Sequence, residues 1–143
     1  MDAIVNDCFM NFRELGIRKN EYDALCQVLD AMQNGKVIED HIRNRGYEIK
    51  IRFNMKHWTR TKNISNQNNF LSGCCIGGLG ELMCAIKFSS HVKPTKQGNA
   101  LYGLFYPSCV EHSEYGNITV KQAANALRNY LTMGNALWQT ILK

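Results

Sequence analysis

The sequence predicts an α+β domain, with a mostly antiparallel four-stranded sheet and helices packed on one of its faces. Three observations predict it. Residues 2–34 and 119–133 carry apolar side chains at helical spacing. Tyr47–Met55 alternates apolar and polar residues throughout, as a half-buried strand does. Between them, further apolar runs are punctuated by glycine and proline. Consecutive strands favour antiparallel pairing and leave the helices to one side. At 143 residues the chain fits one domain. Its N-terminal part, 1–45, is helical, 46–107 supplies the sheet, and 117–143 forms a C-terminal helix and tail.

In order, residues 2–15 place Ile4, Val5, Cys8, Phe9, Phe12 and Leu15 on one helical face, with Gly16 as the stop. A second helix starts at Asn20 as N-cap, with Asp23 near its positive end. It buries Tyr22, Leu25, Cys26, Leu29 and Met32 and ends at Asn34-Gly35. A short helical continuation, Lys36 to Asn44, buries Ile38 and Ile42. Gly46 then turns the chain into the strand Tyr47–Met55, whose Ile49, Ile51 and Phe53 face a core while Lys50 and Arg52 face water or a partner.

An uncharged loop, 63–69, leads to a strand over Phe70–Ile76. Gly77-Gly78-Leu79-Gly80 reads as the turn of a hairpin, since it lacks the Lys-Ser/Thr of a phosphate loop. The returning strand, Glu81–Ser89, groups Leu82, Cys84, Ile86 and Phe88 on one face. Asn99–Tyr106 is apolar on both faces, a central strand ended by Pro107. Thr119 and Gln122 form a capping box for the last helix. That helix buries Val120, Ala123, Ala124, Leu127, Tyr130 and Leu131, closes at Gly134-Asn135, and is followed by a tail with Trp138.

No stretch approaches the ~18 apolar residues of a membrane span. The start, Met1-Asp2-Ala3-Ile4, has no basic region before an apolar core, so the expected location is the cytoplasm. The cysteines at 8, 26, 74, 75, 84 and 109 are then expected to be free buried thiols.

Charge is the main functional signal. From Lys36 to Lys62, eight Lys/Arg stand against three acids, a net +5 that equals the excess of the whole chain. Arg43, Arg45, Lys50, Arg52, Lys56, Arg60 and Lys62 supply contacts for phosphates, and Trp58 supplies a face on which a base could stack. The leading reading is therefore a small basic protein that binds nucleic acid, RNA in preference to DNA, or another polyanion. A third class of role is an assembly subunit, with a second copy or a host protein held by the aromatic stripe of residues 4–15 or the Trp138 tail.

Two resemblances bear on function. His57-Trp58, followed by Ser108-Cys109-Val110-Glu111-His112 and Tyr115-Gly116, resembles the H-box/NC proteins, permuted relatives of the NlpC/P60 hydrolases that include lipid acyltransferases and some picornaviral 2A proteins. That resemblance implies a Cys–His acyltransferase or hydrolase with Cys109 as nucleophile and His57 as base, and a viral non-structural or regulatory protein. Ser108 replaces the family's Asn, and Val110 is inserted before Glu111. The helix–strands–helix order, with Thr119–Leu127, is also similar to a double-stranded-RNA-binding domain, although Val120 and Ala124 stand where that family has lysines. Cys109-x-x-His112 has the spacing of half a zinc site, which Cys74, Cys75, Cys84 or His91 would have to complete, but no second close pair exists. No metal and no cofactor is expected.

Overall fold

The computed structural model describes residues 8–40, 51–58, 73–88 and 100–142. Helix α1 (Phe12–Leu15) is capped by Asn11, whose side chain accepts the Glu14 amide at 2.8 Å while Glu14 accepts the Asn11 amide at 2.9 Å. Gly16, at φ 72°, ends it. The sequence placed a longer helix over 2–15, and residues 1–7 lie outside the described residues. Helix α2 (Lys19–Gln33) is the element on which most others pack, against α1, α3 (Ile76–Cys84), α5 (Val120–Met133) and β1 (Val37–Glu39). Neighbours on several sides explain why its buried band is wide and takes in Ala24, Leu25, Cys26, Val28, Leu29, Ala31 and Met32. Each large apolar side chain buried there contributes about 1.5–3 kcal/mol.

The start of α2 lies earlier than the sequence suggested. Arg18, not Asn20, is the N-cap, because Glu21 reaches back to its amide at 2.9 Å and to its guanidinium at 3.3 Å. Glu21 is fully buried, and those donors, with the positive helix end, are what a carboxylate requires there.

The predicted four-stranded antiparallel sheet is not formed. Among the described residues the sheet has two strands, β1 and β2 (Ile51–Phe53), which run parallel with Val37 beside Ile51 and Glu39 beside Phe53. Cys74 extends the order by one parallel bridge to Phe53. Several elements change type accordingly. Val37–Glu39 was expected in a helical continuation and is β1; Ala100–Phe105 was expected in a strand and is helix α4. A short run that is apolar all round has no period by which strand and buried helix can be told apart, and Leu101, Leu104 and Phe105 are buried at helical spacing.

The expected glycine hairpin is helix α3. A Cβ on Gly77 would collide with the Trp58 ring, and one on Gly78 with the Trp58 carbonyl. A Cβ on Gly80 would lie 2.7 Å from Phe88. Three glycines thus occupy a helix against their intrinsic preference because aromatic residues press on its surface. The helix ends at Cys84, with Ala85 at φ 55°, so Leu82 is exposed while Phe88 is buried.

Helix α5 follows the predicted capping box, with Thr119 accepting the Gln122 amide at 3.1 Å and Gln122 accepting the Thr119 amide at 2.9 Å. Glu39, at the end of β1, accepts the Val120 amide as well and so ties the sheet to this helix. Helix α6 (Trp138–Ile141) seats Trp138 in the core, its indole N–H donating to the Leu104 carbonyl at 3.0 Å. Among the described residues no helix is long and apolar enough to cross a membrane.

Two glycines provide a paired test of this packing. Gly78→Ala is expected to lose more than about 2 kcal/mol through overpacking against Trp58. Gly103→Ala, in α4 with nothing near its side-chain direction, should gain roughly 0.5–1 kcal/mol. Urea denaturation of both variants checks it, and shifts of equal size and sign would contradict the contact of Trp58 with α3.

Candidate functional site

The stretch Cys74-Cys75-Ile76-Gly77-Gly78 passes from strand to helix within one residue. Cys74 is held in the sheet, its amide donating to the Arg52 carbonyl at 3.3 Å and its carbonyl accepting the Asn54 amide at 3.0 Å. Cys75 is extended (φ −75°, ψ −179°) and caps α3, its Sγ accepting the Gly78 amide at 3.5 Å. Its own amide donates to the His57 carbonyl at 2.6 Å. A sulfur in that place stands at the positive end of a nine-residue helix.

The turn before His57 delivers that residue to Cys75. The Asn54 side chain accepts the Lys56 amide at 2.9 Å, and the Asn54 carbonyl accepts the His57 amide at 3.2 Å. Asn54 is itself anchored through its side-chain N–H₂ to Asp40 at 2.9 Å. The chain then places Trp58 over the first turn of α3. Its indole N–H donates to Glu81 Oε1 at 2.8 Å, and Glu81 Oε2 accepts the Phe88 amide at 2.9 Å. The ring meets Phe105 edge-on at 5.1 Å and stacks on Tyr106 at 6.2 Å with 16° between planes. Tyr102 lies against Tyr106 at 4.6 Å.

Electrostatics at the thiol are a contest. Burial pushes Cys75 up from the ordinary 9.0 to about 12, against the amides of Gly78 and Gly77, which favour the thiolate. Burial wins, so the resting sulfur is a neutral thiol, 2 % exposed. Tyr106 is also raised, by burial first and by the neighbouring Cys75 second. The site therefore holds a neutral thiol, the two glycine amides, the His57 carbonyl and a tyrosine, with Trp58 packed against Gly77 and Gly78.

Of the residues singled out from the sequence, His57 stands beside Cys75 and is half-buried. Cys109 is exposed, on irregular chain between α4 and a 3-10 helix (His112–Asn117), close enough to Tyr115 to influence its titration. Arg52 is buried rather than facing water: it and Phe53 point to opposite faces of β2 and both are buried, so the strand is covered on both sides. Lys56 is exposed, and Trp58 is half-buried within aromatic side chains. Arg43, Arg45, Lys50, Arg60 and Lys62 lie outside the described residues, as do His91 and residues 4–7 of the aromatic stripe. All six cysteines are free thiols, but Cys8 and Cys109 are exposed, contrary to the expectation of burial. Among the described residues no three metal-binding side chains are gathered.

Cys75, Glu81 and Tyr106 were missed as site residues. The available signal was Ile76, Leu79 and Met83 at i, i+3 and i+7, which makes the preceding Cys75 an N-cap. No family model matches the chain, and neither does any curated protein or any solved structure.

The raised thiol has a consequence for stability. Below pH 9 the thiol carries its proton both folded and unfolded, and this group adds no pH dependence. Between 9.0 and about 12 the unfolded chain loses the proton and the folded one keeps it, so stability falls as pH rises. Tyr22, raised by burial from 10.0 to about 12, adds to the decline at its upper end. Denaturation midpoints from pH 8 to 11 should fall above 9, and Cys75→Ala should flatten that fall by up to about 1.4 kcal/mol per pH unit. An unchanged slope in Cys75→Ala would show that this thiol titrates normally.

Proposed function

We propose that this chain performs thiol-dependent acyl transfer or hydrolysis, with Cys75 as nucleophile and His57 as general base. The observation that carries the reading is the Cys75 Sγ at the N-terminal end of α3, where it accepts the Gly78 amide, on a backbone joined to that of His57 through the Cys75 amide. The H-box/NC resemblance implied Cys109 as nucleophile; the Cys75 reading rests instead on the start of α3.

Because burial keeps the thiol neutral, its proton leaves as attack proceeds rather than beforehand. His57 takes that proton while Sγ bonds to the acyl carbon, and the carbonyl π electrons move onto oxygen. Collapse expels the leaving group, which receives the proton from His57. Water or a second nucleophile then attacks the thioester and restores the thiol.

The test is pre-steady-state release of p-nitrophenolate from p-nitrophenyl acyl esters of increasing chain length. A burst is expected from the native chain, none from Cys75→Ala, and a rate at least about a hundredfold lower from His57→Gln. Cys109→Ser should leave the burst unchanged. A burst that survives in Cys75→Ala overturns the reading.

A second reading, capture of RNA or another polyanion, is favoured by Lys36 and Lys56, both exposed and both in the +5 window. Filter binding of a labelled RNA across a salt series should show affinity falling steeply with salt, and Lys56→Glu should reduce that slope by about one. Salt-independent retention would remove this reading. Arg52 is the wrong position for such a test, since reversing a buried charge would disturb the sheet.

A further inference from the structure

Helix α4 sends Leu101, Leu104 and Phe105 into the core and keeps Tyr102 and Gly103 on its outer side. Tyr106, just past its end, holds the helical register, its amide donating to the Tyr102 carbonyl at 2.9 Å. The two phenol rings therefore meet one turn apart, with 4.6 Å between their centres. Trp58 continues the row, lying nearly parallel to Tyr106. Phe88 and Phe105, which touch the same indole, are buried, whereas these three rings keep part of their surface in solvent. Gly103 stands next to Tyr102, exposed, and neither backbone nor packing asks for a glycine there. Its φ is not left-handed, and a side chain added to it would meet nothing within 4 Å. In a helix such a residue costs stability relative to alanine. What it provides is open backbone beside the rings, where atoms of another molecule can come close.

Lys56, two residues before Trp58, is exposed and belongs to the window from Lys36 to Lys62 that carries the chain's whole +5. Glu81, the acid joined to the indole, has one oxygen on Trp58 and the other on the Phe88 amide. Aromatic surface and positive charge on one short segment are the two ingredients of a site for unpaired bases on a phosphate backbone. We propose that Tyr102, Tyr106 and Trp58 form a ledge on which the bases of a single-stranded nucleic acid stack, the strand closing on α4 at Gly103 and a phosphate meeting Lys56. The inference rests on the polyanion reading and names its partner. That partner is a strand whose bases are free, since a duplex keeps its base faces stacked on one another. It also moves the stacking surface from Trp58 alone to α4, because the indole is already engaged with Tyr106 and Phe105.

The experiment compares, by fluorescence anisotropy at low salt, a short labelled oligouridylate with an oligomer of equal length and equal charge whose sugars carry no base. The native chain should bind the oligouridylate about tenfold more tightly, the effect of stacking one base. Tyr102→Leu keeps apolar bulk without the ring, and Gly103→Leu fills the open backbone with a better helix former. Both should bring the oligouridylate down to the affinity of the abasic strand and leave the abasic affinity as it was. Tyr102→Phe, which keeps the ring, should bind as the native chain does. Lys56→Glu should weaken both oligomers alike. An oligodeoxyuridylate against its own abasic strand shows whether the sugar matters, and a base-dependent gain with either sugar supports the ledge. Equal affinity of the based and abasic strands for the native chain overturns the ledge and leaves the polyanion reading standing. Binding of neither removes both. Full base-dependent binding in Gly103→Leu and Tyr102→Leu also overturns the ledge.

Discussion

The contact on which most of this architecture depends is the approach of Trp58 to a helix surface that has no side chains. Backbone and ring of Trp58 occupy the space where the Cβ atoms of residues 77 and 78 would be. Such packing lets the indole reach Glu81 and still meet Phe105 and Tyr106. It also explains why α3 carries glycines whose helix propensity is poor, at roughly 1 kcal/mol each. That cost is offset by burial of aromatic surface, which is larger per residue than any propensity term. The geometry runs in one direction of cause: the aromatic residues need the gap, and the glycines supply it.

Carboxylates at helix starts form the second layer of organisation. Glu14 closes α1 on Asn11, Glu21 closes α2 on Arg18, and Glu39 reaches across from β1 to the first amide of α5. The last of these is not local in sequence, so it fixes how the small sheet meets the C-terminal helix. Glu21 is the deepest, fully buried and near the Tyr130 phenol, whose ionisation it opposes together with burial. The Tyr130 hydroxyl has no hydrogen-bond partner, and the α2–α5 contact carries that cost.

Legibility followed the range of the forces involved. Helices α2 and α5 were readable because an amphipathic period repeats over fourteen or fifteen residues, long enough to outweigh local accidents. Strand β1 is three residues and α4 is six, too short for a period to declare itself. Parallel pairing of Val37 with Ile51 is a tertiary fact, and alternation over 47–55 speaks to faces rather than to strand direction. That alternation also misplaced Arg52, since a strand flanked on both edges can be covered on both faces. The α3 misreading had one cause: glycines signal a turn locally, and only Trp58, nineteen positions before Gly77, makes them helical. His57 was recognised because it adjoins Trp58 and the strand end. Cys75 was not, because its importance depends on knowing that a helix begins at the next residue.

The state of the Cys75 sulfur is a balance between burial and the helix amides. A helix end and two amides would hold an exposed thiol below its ordinary range, as they do for thiolates in open sites. Here burial removes water, and desolvation outweighs those donors, leaving the sulfur protonated. The opposing amides of Gly77 and Gly78 are fixed by α3 itself, so the state of the sulfur is decided by its burial and not by a charged neighbour.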